Sequence, residues 1–313
     1  MNWLITGGTG FLGKYLLKTL KKDNIGSIVI YDIKREEEWA SNDKIIWVKG
    51  NILDKDNLEE VIKKYKINGI VHLAYVLLSE SNKSPYMAIK INCDGTLNVL
   101  DLLVKYDIQK MIWSSSVQVY GSEACYGKQK WVDESYVKRP ESLYGMCKAF
   151  CEDICNFYRT KFNLNIVGLR FSTIVGSGRV SGSNTYLCEL IKNAAIKFNK
   201  SQHLIMPYAE HLNNLIYVKD AAEAIKRCMK LDYYRNPIYN ICSDVVYTNK
   251  DIANIIKNIF PDKKIDITSG TFGVRATPYT SPVLAKEQLG FLPLYTLKNL
   301  IEDFILERKK SID

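Results

Sequence analysis

The chain has 313 residues, 47% hydrophobic and 25% charged, with a formal net charge of +9. That composition excludes a fibre or a disordered chain and leaves room for one large domain and a smaller one. No apolar stretch approaches the roughly twenty residues that cross a bilayer, and the basic residues are scattered without interleaved stacking aromatics. A cytoplasmic protein with neither membrane nor nucleic-acid partner is expected, the surplus charge favouring small phosphate-bearing substrates.

The first apolar run, residues 1–5, enters Thr6-Gly7-Gly8-Thr9-Gly10-Phe11-Leu12-Gly13, which reads as a strand, a glycine-rich turn and the opening of a helix. Gly7 permits a tight turn, Gly10 lets the backbone approach a pyrophosphate, and Gly13 lets the helix pack closely on a sheet. An anion there meets N–H groups at the positive end of a helix dipole. A second apolar run, 27–31, ends in Asp32, at about the twenty-residue distance where a βαβ unit sets an acid against an adenosine ribose. An acid at that point accepts from both ribose hydroxyls and repels a 2′-phosphate, so NAD is the expected cofactor. NADP is left open by Lys34 and Arg35 immediately beyond.

Further apolar runs at 45–48, 69–73, 110–113 and 166–169 alternate with amphipathic stretches at 56–64, 85–106 and 143–162. This alternation predicts a parallel sheet with helices on both faces. From about Gly176 the rhythm loosens into a Gly/Ser-rich loop, 176–183, and shorter strands near 204–206, 215–218 and 238–241. The expected fold is α/β: a Rossmann-type doubly wound parallel sheet with a smaller C-terminal α/β lobe. Residues 1–175 would bind NAD(P) and carry the catalytic groups; residues 176–313 would mainly bind substrate, some segments returning to the first domain. Eight cysteines include no C-x-x-C pair. Cys147, Cys151 and Cys155, on one helix face, are expected as reduced core thiols, and no metal site is expected.

The run 110–113 leads into Ser114-Ser115-Ser116, at a strand's carboxyl end where such sheets bind ligands. Ser116 is the expected reacting hydroxyl, Ser114 and Ser115 reading as a polar turn. Tyr144 and Lys148 stand four apart on the stretch 143–162, hence on one helix face. A lysine beside a tyrosine favours tyrosinate, which can exchange a proton with a substrate hydroxyl that Ser116 holds.

These features in order, together with Gly50-Asn51-Ile52-Leu53-Asp54, Val71-His72-Leu73-Ala74, Arg170 to Gly176 and Tyr217-Val218-Lys219-Asp220, resemble an extended short-chain dehydrogenase/reductase of the NAD-dependent epimerase/dehydratase family. The resemblance runs nearly end to end. It implies Ser116, Tyr144 and Lys148 as the catalytic triad, with Tyr144 and Lys148 also at the cofactor. The implied cofactor set is Gly7, Gly10, Phe11, Leu12, Gly13, Asp32, Asn51, Ile52, Leu73 and Ala74, Asn51 and Ile52 meeting adenine. It also implies a homodimer, helices 85–106 and 143–162 pairing across a twofold axis, with Tyr86, Ile89, Leu97 and Leu100 as a candidate apolar stripe.

The departures concern substrate. Nucleotide-sugar members carry an arginine just before the segment equivalent to 215–220, where this chain has Asn213-Asn214. Diphosphate binding then falls to Arg275 or Arg179. Val117 and Gln118 follow Ser116 in place of the acidic pair of sugar dehydratases, which disfavours dehydration. The expected activity is a nucleotide-sugar epimerase resembling UDP-glucose 4-epimerase, working through a transient keto intermediate. The alternatives are a dehydrogenase or reductase of a non-nucleotide alcohol or sugar and, from another class, a non-catalytic dinucleotide sensor.

Overall fold

The structure is a computed structural model that describes all residues except 22, 24, 36–43, 127–130, 183–184, 196–202, 271–278 and 310–313. Its first half runs β1 (Trp3–Thr6), α1 (Phe11–Leu20), β2 (Ile28–Asp32), β3 (Ile45–Lys49), α2 (Lys55–Lys64), β4 (Gly69–His72), α3 (Leu78–Lys83), α4 (Pro85–Ile89), a π-helical turn (Lys90–Asp94), α5 (Gly95–Lys105), β5 (Lys110–Ser116), β6 (Trp131–Val132), α6 (Leu143–Lys161) and β7 (Asn165–Phe171). The second half continues with β8 (Thr173–Val175), α7 (Thr185–Ala194), β9 (Leu204–Met206), β10 (Leu212–Tyr217), α8 (Val218–Lys230), β11 (Ile238–Ile241), β12 (Val246–Thr248), α9 (Asn249–Ile259), β13 (Ile265–Ile267), β14 (Tyr279–Thr280), α10 (Val283–Leu289) and α11 (Leu297–Lys309).

Seven parallel strands form the central sheet in the order β11-β7-β5-β4-β1-β2-β3. Side chains alternate across a strand, so each strand feeds two cores. Ile5, Ile30, Val71 and Ile112 pack on one face, whereas Leu4, Val29, Ile70 and Met111 pack on the other. This two-sided burial explains why the strands read as continuous apolar runs. The fold is the expected Rossmann-like doubly wound α/β architecture.

The chain crosses back between its halves. β11, from the C-terminal half, completes the sheet beside β7, and the buried face of α8 shares a core with that of α1. The remaining strands form a three-stranded sheet, β12-β10-β8, and the pairs β13-β9 and β14-β6. Local signals start the helices: Ser142 caps α6 by accepting from Gly145 N at 3.1 Å, and Thr248 with Asp251 forms a capping box on α9.

One expected helix, 85–106, is broken in phase. The π turn at Lys90–Asp94 interrupts the α-helical repeat, so the proposed stripe does not stay on one face: Tyr86 and Ile89 are exposed, while Leu100 is fully buried in the core.

Candidate active site

The glycine-rich turn joins β1 to α1 against the end of β4. Gly7 has φ +70°, and a Cβ there would stand 2.7 Å from Ala74 N and from the Leu73 carbonyl group, so only glycine fits. A Cβ on Gly13 would come within 2.5 Å of the Gly8 carbonyl oxygen, which fixes how closely α1 meets the turn. Gly10 precedes α1 as its cap residue and no side chain caps the helix, leaving this helix end suited to an anion. Leu73 N donates to Thr6 O at 3.0 Å and Ala74 N to Thr6 Oγ1 at 3.4 Å, holding the β4 loop beside the turn. Phe11 and Leu12 are half-buried on the same side, Phe11 packing toward Gly176.

Asp32 lies at the end of β2, facing the turn: its Oδ2 accepts from Thr9 N at 3.0 Å and its Oδ1 from Lys34 N at 3.2 Å. Arg35 lies over the Trp47 ring, 5.4 Å from its centroid. Asn51 is exposed, and its Oδ1 accepts from Leu53 N at 3.0 Å. The Ile52 side chain is packed into the core against Gly95. A backbone cradle that excludes side chains, a helix end and a carboxylate across from it together fit a dinucleotide.

The catalytic candidates converge at the carboxyl ends of the central strands. Ser116 ends β5, is nearly buried, and accepts from Gln118 N at 3.2 Å. Tyr144 and Lys148 stand one turn apart on α6, with the Tyr144 phenol facing the Ser116 hydroxyl. Burial pushes Tyr144 up to about 12; the neighbouring Ser116 hydroxyl and the Arg179 charge only partly oppose it. Burial also pushes Lys148 down to about 7, against the pull of the Cys151, Cys155 and Cys147 thiols and Glu152. Its Nζ donates to the Ser114 carbonyl and sits 2.9 Å from the Tyr75 ring centroid.

Behind Lys148, His72 is fully buried, and burial holds it down at about 3, hence neutral. Its Nδ1 meets Thr6 Oγ1 at 2.7 Å and its Nε2 meets Thr96 Oγ1 at 3.3 Å. Asn92, in the π turn, clamps Val76 by accepting from its N–H at 2.9 Å and donating to its carbonyl at 3.1 Å, which anchors the loop carrying Tyr75.

Arg179 folds back into the site. Its guanidinium donates to the Ile174 and Ser181 carbonyls, both neutral acceptors, and its charge is felt at Tyr144. Asn213 and Asn214 are turned into the fold: Asn213 Nδ2 donates to Asn249 Oδ1 at 2.8 Å, and Asn214 Nδ2 to Ser243 O at 2.8 Å. Arg275 lies outside the described residues.

The model of the NAD dependent epimerase/dehydratase family matches residues 3–242. The chain belongs to that family. UDP-glucose 4-epimerase from Lacticaseibacillus casei is 25% identical to it, the match covering 94% of this chain and 92% of that protein. Among solved structures, an L-threonine dehydrogenase from Phytophthora infestans superposes with a TM-score of 0.87 at 20% identity, over 99% of this chain and 100% of that one. A UDP-glucose 4-epimerase from Thermotoga maritima, solved with UDP-glucose, gives 0.85 at 22% identity over 100% of both. At such identities the two structures speak for the fold alone, and proteins named for different reactions share it.

Sequence reasoning gave no site role to Glu152, Arg170 or Ser115. Ser115, read as part of a polar turn, is buried and donates to Glu152 Oε1 at 2.6 Å. An acid at i+4 from Lys148 was the available signal; its strand partners were not legible.

Proposed function

We infer that the chain is an NAD-dependent nucleotide-sugar epimerase of the UDP-glucose 4-epimerase kind, residues 1–175 supplying the cofactor and catalytic groups and residues 176–313 mainly covering substrate. The carrying observation is the convergence of Ser116, Tyr144 and Lys148 with the inward-turned Arg179 at the strand ends. Asp32 favours NAD over NADP, because a 2′-phosphate would meet its carboxylate. A nicotinamide dinucleotide, its pyrophosphate at the glycine turn and its nicotinamide end near Lys148, would supply the hydride acceptor for oxidising a sugar hydroxyl and the hydride donor for reducing the carbonyl again.

The chain's own residues handle the proton and the charge. Tyr144 Oη takes the proton of the substrate hydroxyl, and Ser116 Oγ holds the same oxygen. Tyrosinate beside ammonium contains as many protons as phenol beside amine, so Tyr144 and Lys148 release one proton as a pair near pH 7. Added positive charge at the site draws that pair toward tyrosinate. The expected kcat/KM therefore rises with pH through about 7. Arg179, whose described partners are neutral carbonyls, keeps its charge for a diphosphate; Arg275 is the second candidate.

The inward-turned amides of Asn213 and Asn214 favour a second reading, a dehydrogenase of a non-nucleotide alcohol. Incubation with UDP-, GDP-, CDP- and dTDP-sugars at trace NAD⁺ separates the two. Many turnovers to a stereoisomer without NADH accumulation support the epimerase; stoichiometric NADH from a simpler alcohol overturns it. Tyr144→Phe is expected to abolish turnover with NAD affinity nearly intact, and persisting turnover would remove Tyr144 from the mechanism.

The outer face of the same helix is the proposed contact of a homodimer, and the cytoplasm is its proposed location. Met146, Phe150 and Phe157 are 51%, 44% and 51% exposed along the outer face of α6, with Tyr86, Met87 and Ile89 exposed on the neighbouring α4.

A further inference from the structure

Two consecutive residues of β5 bond to two residues spaced four apart on α6. Ser114 O accepts from Lys148 Nζ and Ser115 Oγ donates to Glu152 Oε1 at 2.6 Å, while the next strand residue, Ser116, faces Tyr144 one turn earlier on the helix. In the parallel register Arg170 of β7 stands beside Ser115. It grips the same carboxylate with two bonds, Nε to Oε1 and Nη2 to Oε2, both 2.8 Å. Ser115, Glu152 and Arg170 are 3%, 8% and 3% exposed.

We propose that Glu152 is a positioning residue for the reaction: with Ser115 and Arg170 it locks α6 against β5 and β7 so that Tyr144, Lys148 and Ser116 stay aligned on one oxygen. The proposal rests on the catalytic assignment above but not on which sugar is bound. The physical reason is leverage. Tyr144 and Lys148 lie in the first two turns of α6, where Ser142 is the cap, and among the described side-chain hydrogen bonds the next from α6 to the sheet are those of Glu152 with Ser115 and Arg170. A helix rises about 1.5 Å per residue, so a slip of one residue carries Tyr144 Oη out of hydrogen-bond reach of the oxygen held by Ser116.

Glu152 also acts on charge. The groups facing Lys148 are Tyr144, Glu152 and the thiols of Cys147, Cys151 and Cys155 from its own helix, His72 at the end of β4, and Tyr75 just beyond. Glu152 is the carboxylate in that set. It is itself faced by Arg170 and by Lys138, whose Nζ stands 3.6 Å from Oε2. Removing its charge leaves Arg170 uncompensated and disfavours the Lys148 ammonium.

Two variants divide the role. Ser115→Ala cuts the link to β5 while leaving every buried charge paired; Glu152→Gln keeps an acceptor for Ser115 but removes the charge. With NAD bound and the UDP-sugar panel as substrate, Ser115→Ala is expected to lower kcat at least about tenfold, with KM and NAD affinity within about twofold and Tm nearly unchanged. Glu152→Gln is expected to move the rise of kcat with pH downward by at least about half a unit. A merely structural residue lowers Tm and leaves kcat and the pH profile in place, and that result overturns the proposal. If no sugar of the panel is turned over, the Lys148 side chain is titrated by NMR in lysine-labelled protein, its signal assigned by loss in Lys148→Met. A downward shift in Glu152→Gln then upholds the charge coupling even though the epimerase reading has failed; an unmoved titration overturns the proposal.

Discussion

At the scale of single residues, burial moves Lys148 and Tyr144 in opposite directions on the pH scale and toward the same result, since both lose charge. For Lys148 the consequence is measurable as stability. Its pKa falls from 10.5 to about 7 on folding, so between those values the unfolded chain binds a proton that the folded chain does not. At about 1.4 kcal/mol per unit, the cost at neutral pH is on the order of 4 kcal/mol, fading as pH rises toward the unfolded value. Lys148→Met is therefore expected to abolish turnover while raising Tm by several degrees near pH 7, the gain shrinking steadily toward pH 10. Thermal melts of both proteins across that range check it; a Tm gain independent of pH would refute the loss of the buried ammonium's proton as its cause. The four-residue spacing of Tyr144 and Lys148 made their shared face legible in the sequence. Tyr75, whose ring receives the Lys148 Nζ, was not legible, because it arrives on a loop after β4 whose placement depends on Asn92 clamping Val76.

At the scale of elements, the turn between β1 and α1 is the feature that sequence and structure describe in the same terms. Gly7 is required twice over, by its positive φ and by the backbone of Leu73 and Ala74 at 2.7 Å. Gly7→Ala is expected to destabilise the chain by about 1–3 kcal/mol and to weaken NAD binding at least about tenfold, since the β4 loop must retreat from the cradle. Denaturant melts and calorimetric NAD titration test both parts, and an unchanged affinity would detach this turn from cofactor binding. The strands of the parallel sheet were legible because both their faces are buried and their runs are continuous. The π turn was not, since nothing in the apolar spacing of 85–106 marks the change of phase that sends Leu100 inward and leaves Tyr86 and Ile89 outside. The Glu152 network was hidden for a related reason: that Ser115 stands beside Arg170 follows from the register of β5 and β7, which sequence patterning does not give.

At the scale of the whole molecule, α6 has two faces with different work. The inner face carries Tyr144, Lys148 and Glu152 against the sheet, and the outer face presents Met146, Phe150 and Phe157 to the surroundings. Large apolar side chains on neighbouring helices, exposed together, mark a protein interface more often than a bare surface. A second copy of the chain packed there would bury them and brace the helix that carries the proposed catalytic pair. Met146→Glu with Phe150→Glu places two charges in such an interface, where like charges across a twofold axis oppose each other. Light scattering is expected to give the mass of two chains for the wild type and one for this variant at the same concentration. If the partner braces α6, its loss is expected to lower kcat by about tenfold or more although Tyr144 and Lys148 are themselves unaltered in sequence. A wild type that already scatters as one chain would remove the dimer, and a monomeric variant with full kcat would show that the inner face of α6 holds its geometry without a partner.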